Sequence, residues 1–333
     1  MQGLKKVTKI KPRTNMINKI MSGRLGNQMF QYAAVRAYQI KYTPDEPLNL
    51  NFFSVYCEGG REEGFYNQLE QFNIAPHTVD KTPKLSPLQY ILYAKYLAVC
   101  YLARYIHKKD NGLWRKAYDT KLAEKYQKHG LYLYSFGYYP FSATKARNKL
   151  FMGLYESAQY FNDIKPVIQE EFTPKHAKLD KNKDLYKIIE TTNSVCVSIR
   201  RGDFLSSKFK SNHYVCTPEY FDEAIRVIKT KVENPRFVIF SDDIKWVRKN
   251  IKFPKGTVYE DGTDPVWEKL RLMYSCKHFI ISNSTFSWWT QYLSRNNDKV
   301  VIAPDRWFND NPMYEDIYEP NWTLINIDQL RRL

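Results

Sequence analysis

From residue 185 onward, short uninterrupted apolar runs alternate with longer stretches whose apolar positions recur at helical spacing. The runs VCVSI (195–199), RFVIF (236–240), HFIIS (278–282), KVVIA (299–303) and WTLINI (322–327) read as strands covered on both faces, as in parallel sheets. Between them, TPEYFDEAIRVIKTKV sets Tyr220, Phe221, Ala224, Ile225, Ile228 and Val232 on one face, behind Thr217 as N-cap and Pro218 at the first helical position. Asn234-Pro235 stops that helix, and PVWEKLRLMYSC (265–276) and TFSWWTQYLSR (285–295) supply two more. Strands alternating with helices imply right-handed crossovers and a doubly wound, mainly parallel sheet, with ligands outside the strands' carboxyl ends.

The first half is less regular. In GRLGNQMFQYAAVRAYQI (23–40), Phe30, Ala33, Ala34, Ala37 and Ile40 form a helical stripe behind a turn containing Gly23 and Gly26. From about Leu48 to Gly137 strand alternation is lacking, and the pattern predicts mostly helices and loops. YILYAKYLAVCYLARYI (90–106) carries Lys95 and Arg104 and is shorter than the roughly 20 residues a bilayer span needs, so it predicts a buried or interfacial helix. The lysine-rich FTPKHAKLDKNKD (172–184) is the best boundary. The expected organisation is a basic tail (1–15), an N-terminal domain (16–171), a linker (172–184) and a C-terminal domain (185–333).

A chain of 333 residues, 43% apolar, has material for two cores, and its net charge of +16 favours an anionic partner: nucleic acid, lipid headgroup or phosphorylated small molecule. The excess is concentrated, with seven basic and no acidic residues in 1–24 and eleven basic against three acidic in 81–128. Either segment suits peripheral contact with an anionic membrane, yet neither has the apolar moment of an inserting helix, and a solvated tail with ordinary helix faces explains them equally. Five scattered cysteines without C-x-x-C spacing argue against a disulfide scaffold or zinc site. The first 20 residues hold no signal-like apolar run, which predicts a cytoplasmic protein, at most at the inner face of the membrane.

Three motifs fall at predicted strand ends. Ser198 and Arg200 share one side of their strand while Arg201 points elsewhere, so Arg200 is the candidate for gripping a phosphate through its fork; a turn-bracing pair with Asp203 falls mainly to Arg201. In SNSTFSWW (282–289), the hydroxyls of Ser284, Thr285 and Ser287 adjoin the unpaired N–H groups of a helix start, which suits an anion or an N-cap alone, and Trp288 and Trp289 suit a core. Asp242 and Asp243 suit ribose or base contact, metal binding, or capping of the DIKWVRKN helix. GRLGNQ lacks the third glycine of a dinucleotide-binding turn, and no P-loop is present.

In this order and spacing, GRLGNQMFQYA (23–33), SIRRGDF (198–204), FSDD (240–243) and SNSTFSWW (282–289) resemble the alpha-1,2-fucosyltransferase family, glycosyltransferase family 11, over residues 23 to about 295. The resemblance implies an α/β, GT-B-like enzyme with two Rossmann-like domains facing across a cleft, the N-terminal one on the acceptor side and the C-terminal one binding the GDP-sugar donor. It implies fucose transfer from GDP-fucose to the 2-hydroxyl of a terminal galactose in a glycan, with inversion and without a metal or other cofactor. Carried over, Arg200 and Asp203 are catalytic, with Arg200 on the diphosphate and Arg201 and Asp203 beside it. Asp242 and Asp243 lie near the nucleoside, Ser198, Ser284, Thr285 and Ser287 by the donor phosphates, and Gly26, Asn27 and Gln28 in a loop facing the cleft. The family's usual histidine is replaced by Ser198, and Phe204 stands for its usual tyrosine.

Breaking the bond between fucose and GDP builds charge on the diphosphate, which a fixed guanidinium stabilises most in the transition state. The proton acceptor is open between Asp203, a poor base if ion-paired with Arg201, and His213. Three other readings compete: a protein O-fucosyltransferase-like enzyme, a sugar-binding protein without catalysis, and a basic nucleic-acid-binding protein. Tyrosines scattered along presumed core helices speak against the last, so no nucleic acid is expected.

Overall fold

A computed structural model describes residues 15–59, 64–106, 112–206, 210–309 and 316–330. The tail through residue 14 lies outside them, as does the Asp203 side chain.

The N-terminal half contains β1 (Met16–Ile20), α1 (Leu25–Tyr42), β2 (Leu48–Asn51), α2 (Phe53–Gly59), β3 (His77–Val79), α3 (Pro87–Tyr101), α4 (Gly112–Lys128), β4 (Leu131–Leu133) and β5 (Asn148–Met152). Its strands make one parallel sheet in the order β3-β2-β1-β5-β4. Three of them lie inside the stretch expected to hold mostly helices and loops. They are only three or four residues long, and polar Asn18, Lys19 and Asn49 are buried in the sheet's middle, so no alternation marks them. Asn49 Nδ2 donates to Asn18 Oδ1 at 3.0 Å, Asn18 Nδ2 donates to Lys149 O at 3.2 Å, and Asn49 Oδ1 accepts the Lys81 N–H at 3.2 Å, so both amides are paired inside the sheet.

The second half runs through α5 (Lys165–Glu171), α6 (Lys183–Thr191), β6 (Asn193–Ile199), α7 (Lys210–His213), α8 (Pro218–Lys231), β7 (Pro235–Ser241) and α9 (Ile244–Asn250). It continues with β8 (Val258–Tyr259), α10 (Val266–Ser275), β9 (His278–Ile280), α11 (Thr285–Leu293), β10 (Val301–Pro304), β11 (Thr323–Ile325) and α12 (Ile327–Leu330). These strands form a second parallel sheet, β11-β10-β9-β6-β7-β8. Its apolar runs are the expected ones. Thr217 stands before α8, but its hydroxyl makes no capping bond.

The second sheet reverses direction once, at β6/β9, and ligands of such sheets bind beyond the strands' carboxyl ends at that point; in the first sheet the chain returns from β4 at the edge to β5, which lies beside β1. The halves share one continuous core. Phe30 of α1 packs on Trp288 and Trp289 of α11 with ring centroids 4.5 and 4.9 Å apart, and Phe161 stacks on Trp289. Both indoles are fully buried, their N–H groups donating to Ile317 O at 2.7 Å and Gly26 O at 2.9 Å. An interface this apolar holds the sheets in a fixed relation.

Candidate active site

The strand ends at the β6/β9 reversal gather most of the sequence-predicted residues. Ser282, just past β9, donates through Oγ to Ser198 O at 2.6 Å and accepts the Arg200 N–H at 3.2 Å, tying the strand ends together. Arg200 leaves β6 and meets Asp242, just beyond β7, with Nη1 2.8 Å from Oδ2; both side chains are about a quarter exposed. The other Asp242 oxygen accepts the Arg201 N–H at 2.9 Å. Gly202 makes this clasp feasible, since a Cβ there would sit 2.7 Å from Asp242 Oδ2. The R-R-G and S-D-D motifs are thus two halves of one structure.

Asp243 takes the capping role: its Oδ1 accepts the Trp246 N–H at 3.1 Å and starts α9. Arg201 turns away from Arg200 as the strand alternation requires, lying over the Trp246 ring at 3.1 Å with Nε 3.6 Å from Asp243 Oδ2. Among the described residues, its ion pair is with the capping aspartate. His213 sits between Phe204 and Phe308.

The serines and threonine divide by burial. Ser198 and Ser287 are buried against each other with hydroxyls 2.6 Å apart, filling space that a histidine at 198 would need. Thr285 donates to Asn27 Oδ1 at 2.7 Å, a bond from α11 to α1. Ser284 is half-buried, and its hydroxyl has no hydrogen-bond partner among the described residues. It is the hydroxyl of the cluster open to a ligand. Asn283-Ser284-Thr285 is formally a glycosylation sequon, but it is closed, because the buried Asn283 amide donates to His213 O and Trp307 O at 2.9 and 2.8 Å.

Gly26, Asn27 and Gln28, expected in a loop facing the cleft, lie at the start of α1, which meets α11 of the second half. Gly26 is a contact point: a Cβ there would lie 2.5 Å from Thr285 Oγ1 and 2.6 Å from Phe286 N, so the crossing of α1 and α11 requires glycine. Gln28 is fully buried and braces its own loop, donating to Gly23 O and Tyr66 O at 2.9 and 2.8 Å and accepting the Gln68 N–H at 3.1 Å. Gly26 and Asn27 both reach the second half, Gly26 through its carbonyl at Trp289 and Asn27 through its amide oxygen at Thr285.

The chain also carries a group that no motif marked. At the carboxyl ends of β1 and β5, Lys19 Nζ donates to Gly153 O at 3.0 Å, and burial pulls its ammonium well below the usual lysine range, partly offset by Glu58. The loop after β5 then takes positive φ at Gly153 and at Tyr155, 152° and 55°, an uncommon conformation for a tyrosine. The next residue, Glu156, is buried and makes no hydrogen bond or ion pair with any described residue; burial alone pushes its carboxyl up to about 8. Elsewhere, Glu260, Asp261 and Asp264 bring carboxylate oxygens within 4.8 Å of one another, but Lys181 lies 2.8 Å from Asp264 and Lys269 3.4 Å from Glu260, where a cation would sit.

Comparison with known proteins supplies the family. The profile of Glycosyl transferase family 11 matches residues 106–326, about two thirds of the chain. The chain belongs to this family. An alpha-1,2-colitosyltransferase of Escherichia coli is 31% identical over 300 residues, covering 86% of this chain and 91% of its own. Galactoside alpha-(1,2)-fucosyltransferase 1 of Saimiri boliviensis boliviensis is 29% identical over 186 residues, about half of each chain. Among solved structures, NodZ alpha-1,6-fucosyltransferase soaked with GDP-fucose superposes with a TM-score of 0.52 at 12% identity, over 88% of this chain and 96% of that one. That likeness concerns the fold, and the family 11 chain is a GT-B-like glycosyltransferase with two parallel sheets. Among its described residues, no helix is long and apolar enough to cross a membrane.

Proposed function

We propose that this glycosyltransferase moves fucose from GDP-fucose to the 2-hydroxyl of a terminal galactose, inverting the anomeric carbon without a metal. The observation that carries the reading is the cluster at the β6/β9 reversal: a forked cation, Arg200, and a hydroxyl without a partner among the described residues, Ser284, beside the start of α11. A strand-end cluster of this kind suits a nucleotide diphosphate, and a guanidinium supplies fixed charge as the diphosphate leaves. Asp242 holds the fork in place and has one oxygen on Arg200 and one on the backbone of Arg201, which leaves it little freedom for a nucleoside. Asp203 adjoins this group in sequence and is kept as its companion.

The proton of the acceptor hydroxyl needs a base, and Glu156 is the group we assign to it. It follows β5, which pairs with β1 in the middle of the first sheet, and a carboxyl pushed up to about 8 suits proton transfer better than an ion-paired one. The β1 segment beside its loop leads into α1, whose Asn27 touches Thr285 next to the proposed phosphate position.

Incubation with GDP-fucose and lactose, with and without EDTA, tests the reading by GDP release and product linkage. An α-1,2-linked product insensitive to EDTA is expected; absence of transfer from GDP-fucose to any galactoside contradicts it. The colitosyltransferase match favours a second donor sugar. Colitose lacks the 3-hydroxyl of fucose, so the ratio of kcat/KM for the two GDP-sugars discriminates: a site that hydrogen-bonds that hydroxyl rejects colitose by orders of magnitude.

A further inference from the structure

We propose that the outer face of α3 and of the turn that follows it, Leu102–Ile106, docks on an anionic lipid surface. This segment was expected to be a buried or interfacial helix because it carries Lys95 and Arg104 and is too short to span a bilayer. Its inner edge, Gln89, Tyr96, Cys100 and Ala103, does pack on the sheet. The other side faces water with Leu88, Ile91, Leu97, Tyr101, Tyr105 and Ile106, and Ile91, Tyr105 and Ile106 are each more than 60% exposed. Contiguous apolar exposure on this scale is unusual on a soluble surface and calls for a cover.

Charge selects the cover. From Lys81 to Lys109 the chain has no acidic residue, and Lys81, Lys84, Lys95 and Arg104 are all exposed around the apolar face. A second copy meeting the first through the same face would bring these cations against one another. Anionic headgroups neutralise them instead, while the long basic stems run along the acyl boundary and the tyrosines sit at headgroup level. The low apolar moment that spoke against insertion arises because both sides of α3 are apolar, one filled by the sheet and the other left outward. The surface is separate from the β6/β9 strand ends, so the proposal stands whichever sugar is transferred.

The test is flotation of the full chain with vesicles of phosphatidylcholine alone or mixed with phosphatidylglycerol, at low and high salt. Binding to the mixed vesicles is expected, weakened by salt and by removal of charge at roughly fivefold per basic side chain. Ile91→Ser combined with Ile106→Ser should weaken it at least tenfold, and Lys95→Glu with Arg104→Glu should abolish preference for the anionic lipid. Both variants should keep the wild-type Tm, since the residues are exposed. The proposal is overturned if the mixed vesicles are not bound, if binding is unchanged by these substitutions and so belongs to the basic N-terminal segment, or if the wild type is a dimer that Ile91→Ser and Ile106→Ser dissociate.

Discussion

Replacing Glu156 by glutamine should make the protein more stable, and increasingly so as pH rises. Glu156 is largely buried, makes no hydrogen bond with any described residue, and burial pushes its carboxyl from the usual 4.5 up to about 8. Its folded value is above its unfolded one, so its contribution to stability is fully present below pH 4.5 and is lost as pH climbs to about 8. At about 1.4 kcal/mol per pH unit, that window corresponds to about 5 kcal/mol, a large part of the 5–15 kcal/mol typical of folded domains. Glutamine is nearly isosteric, stays neutral throughout, and forfeits no hydrogen bond that glutamate makes. Thermal unfolding of wild type and Glu156→Gln should coincide near pH 5 and differ by roughly 10 °C at pH 8, with the variant higher. A Tm difference that does not change between pH 5 and 8 would refute the reasoning. The same variant should lose transfer while retaining GDP affinity, the trade expected where an active group is held in a destabilising position. If transfer survives, Glu156 is a buried carboxyl and not the base.

Three further substitutions probe the architecture. Gly26→Ala would gain about 1 kcal/mol of helix propensity but would drive a methyl against the Thr285–Phe286 backbone, which cannot swing away; the clash should win by about 1–3 kcal/mol, read as a lower Tm. Ser198→His, which restores the family's usual residue, should be destabilising by a similar amount and leave transfer below wild type, because Ser287 already closes that space; Ser198→His combined with Ser287→Ala should recover part of the loss. Ser284→Ala should raise the Kd for GDP by up to about tenfold without changing Tm, the loss of one hydrogen bond to a charged group.

What could be read from the sequence follows from how each half is built. In the second half, long strands such as VCVSI and RFVIF bury both faces and then break into Arg200, Arg201, Asp242 and Asp243, so element, direction and site coincide on one short stretch. In the first half, LNLN, HTV and LYL are too short for a period to emerge, and Lys19 and Asn49 are polar residues buried by neighbouring strands. The long apolar run 90–106 also marked α3 without showing that its outer side is bare, since an apolar circumference looks alike whether covered by protein or not. Burial likewise decided between open alternatives: Asp243 became a cap, Gln28 a brace, and Trp288 and Trp289 core. Glu156 had no motif at all; its importance arises from a partnerless position that only tertiary packing creates.

The most direct test of the central claim is transfer from GDP-fucose by Arg200→Ala, with GDP binding measured on the same preparation. If the guanidinium beside Asp242 neutralises the departing diphosphate, the rate falls about 10²- to 10³-fold, roughly 3–4 kcal/mol, and Arg200→Lys recovers little because the fork is lost. Turnover at the wild-type rate by the alanine variant would contradict it.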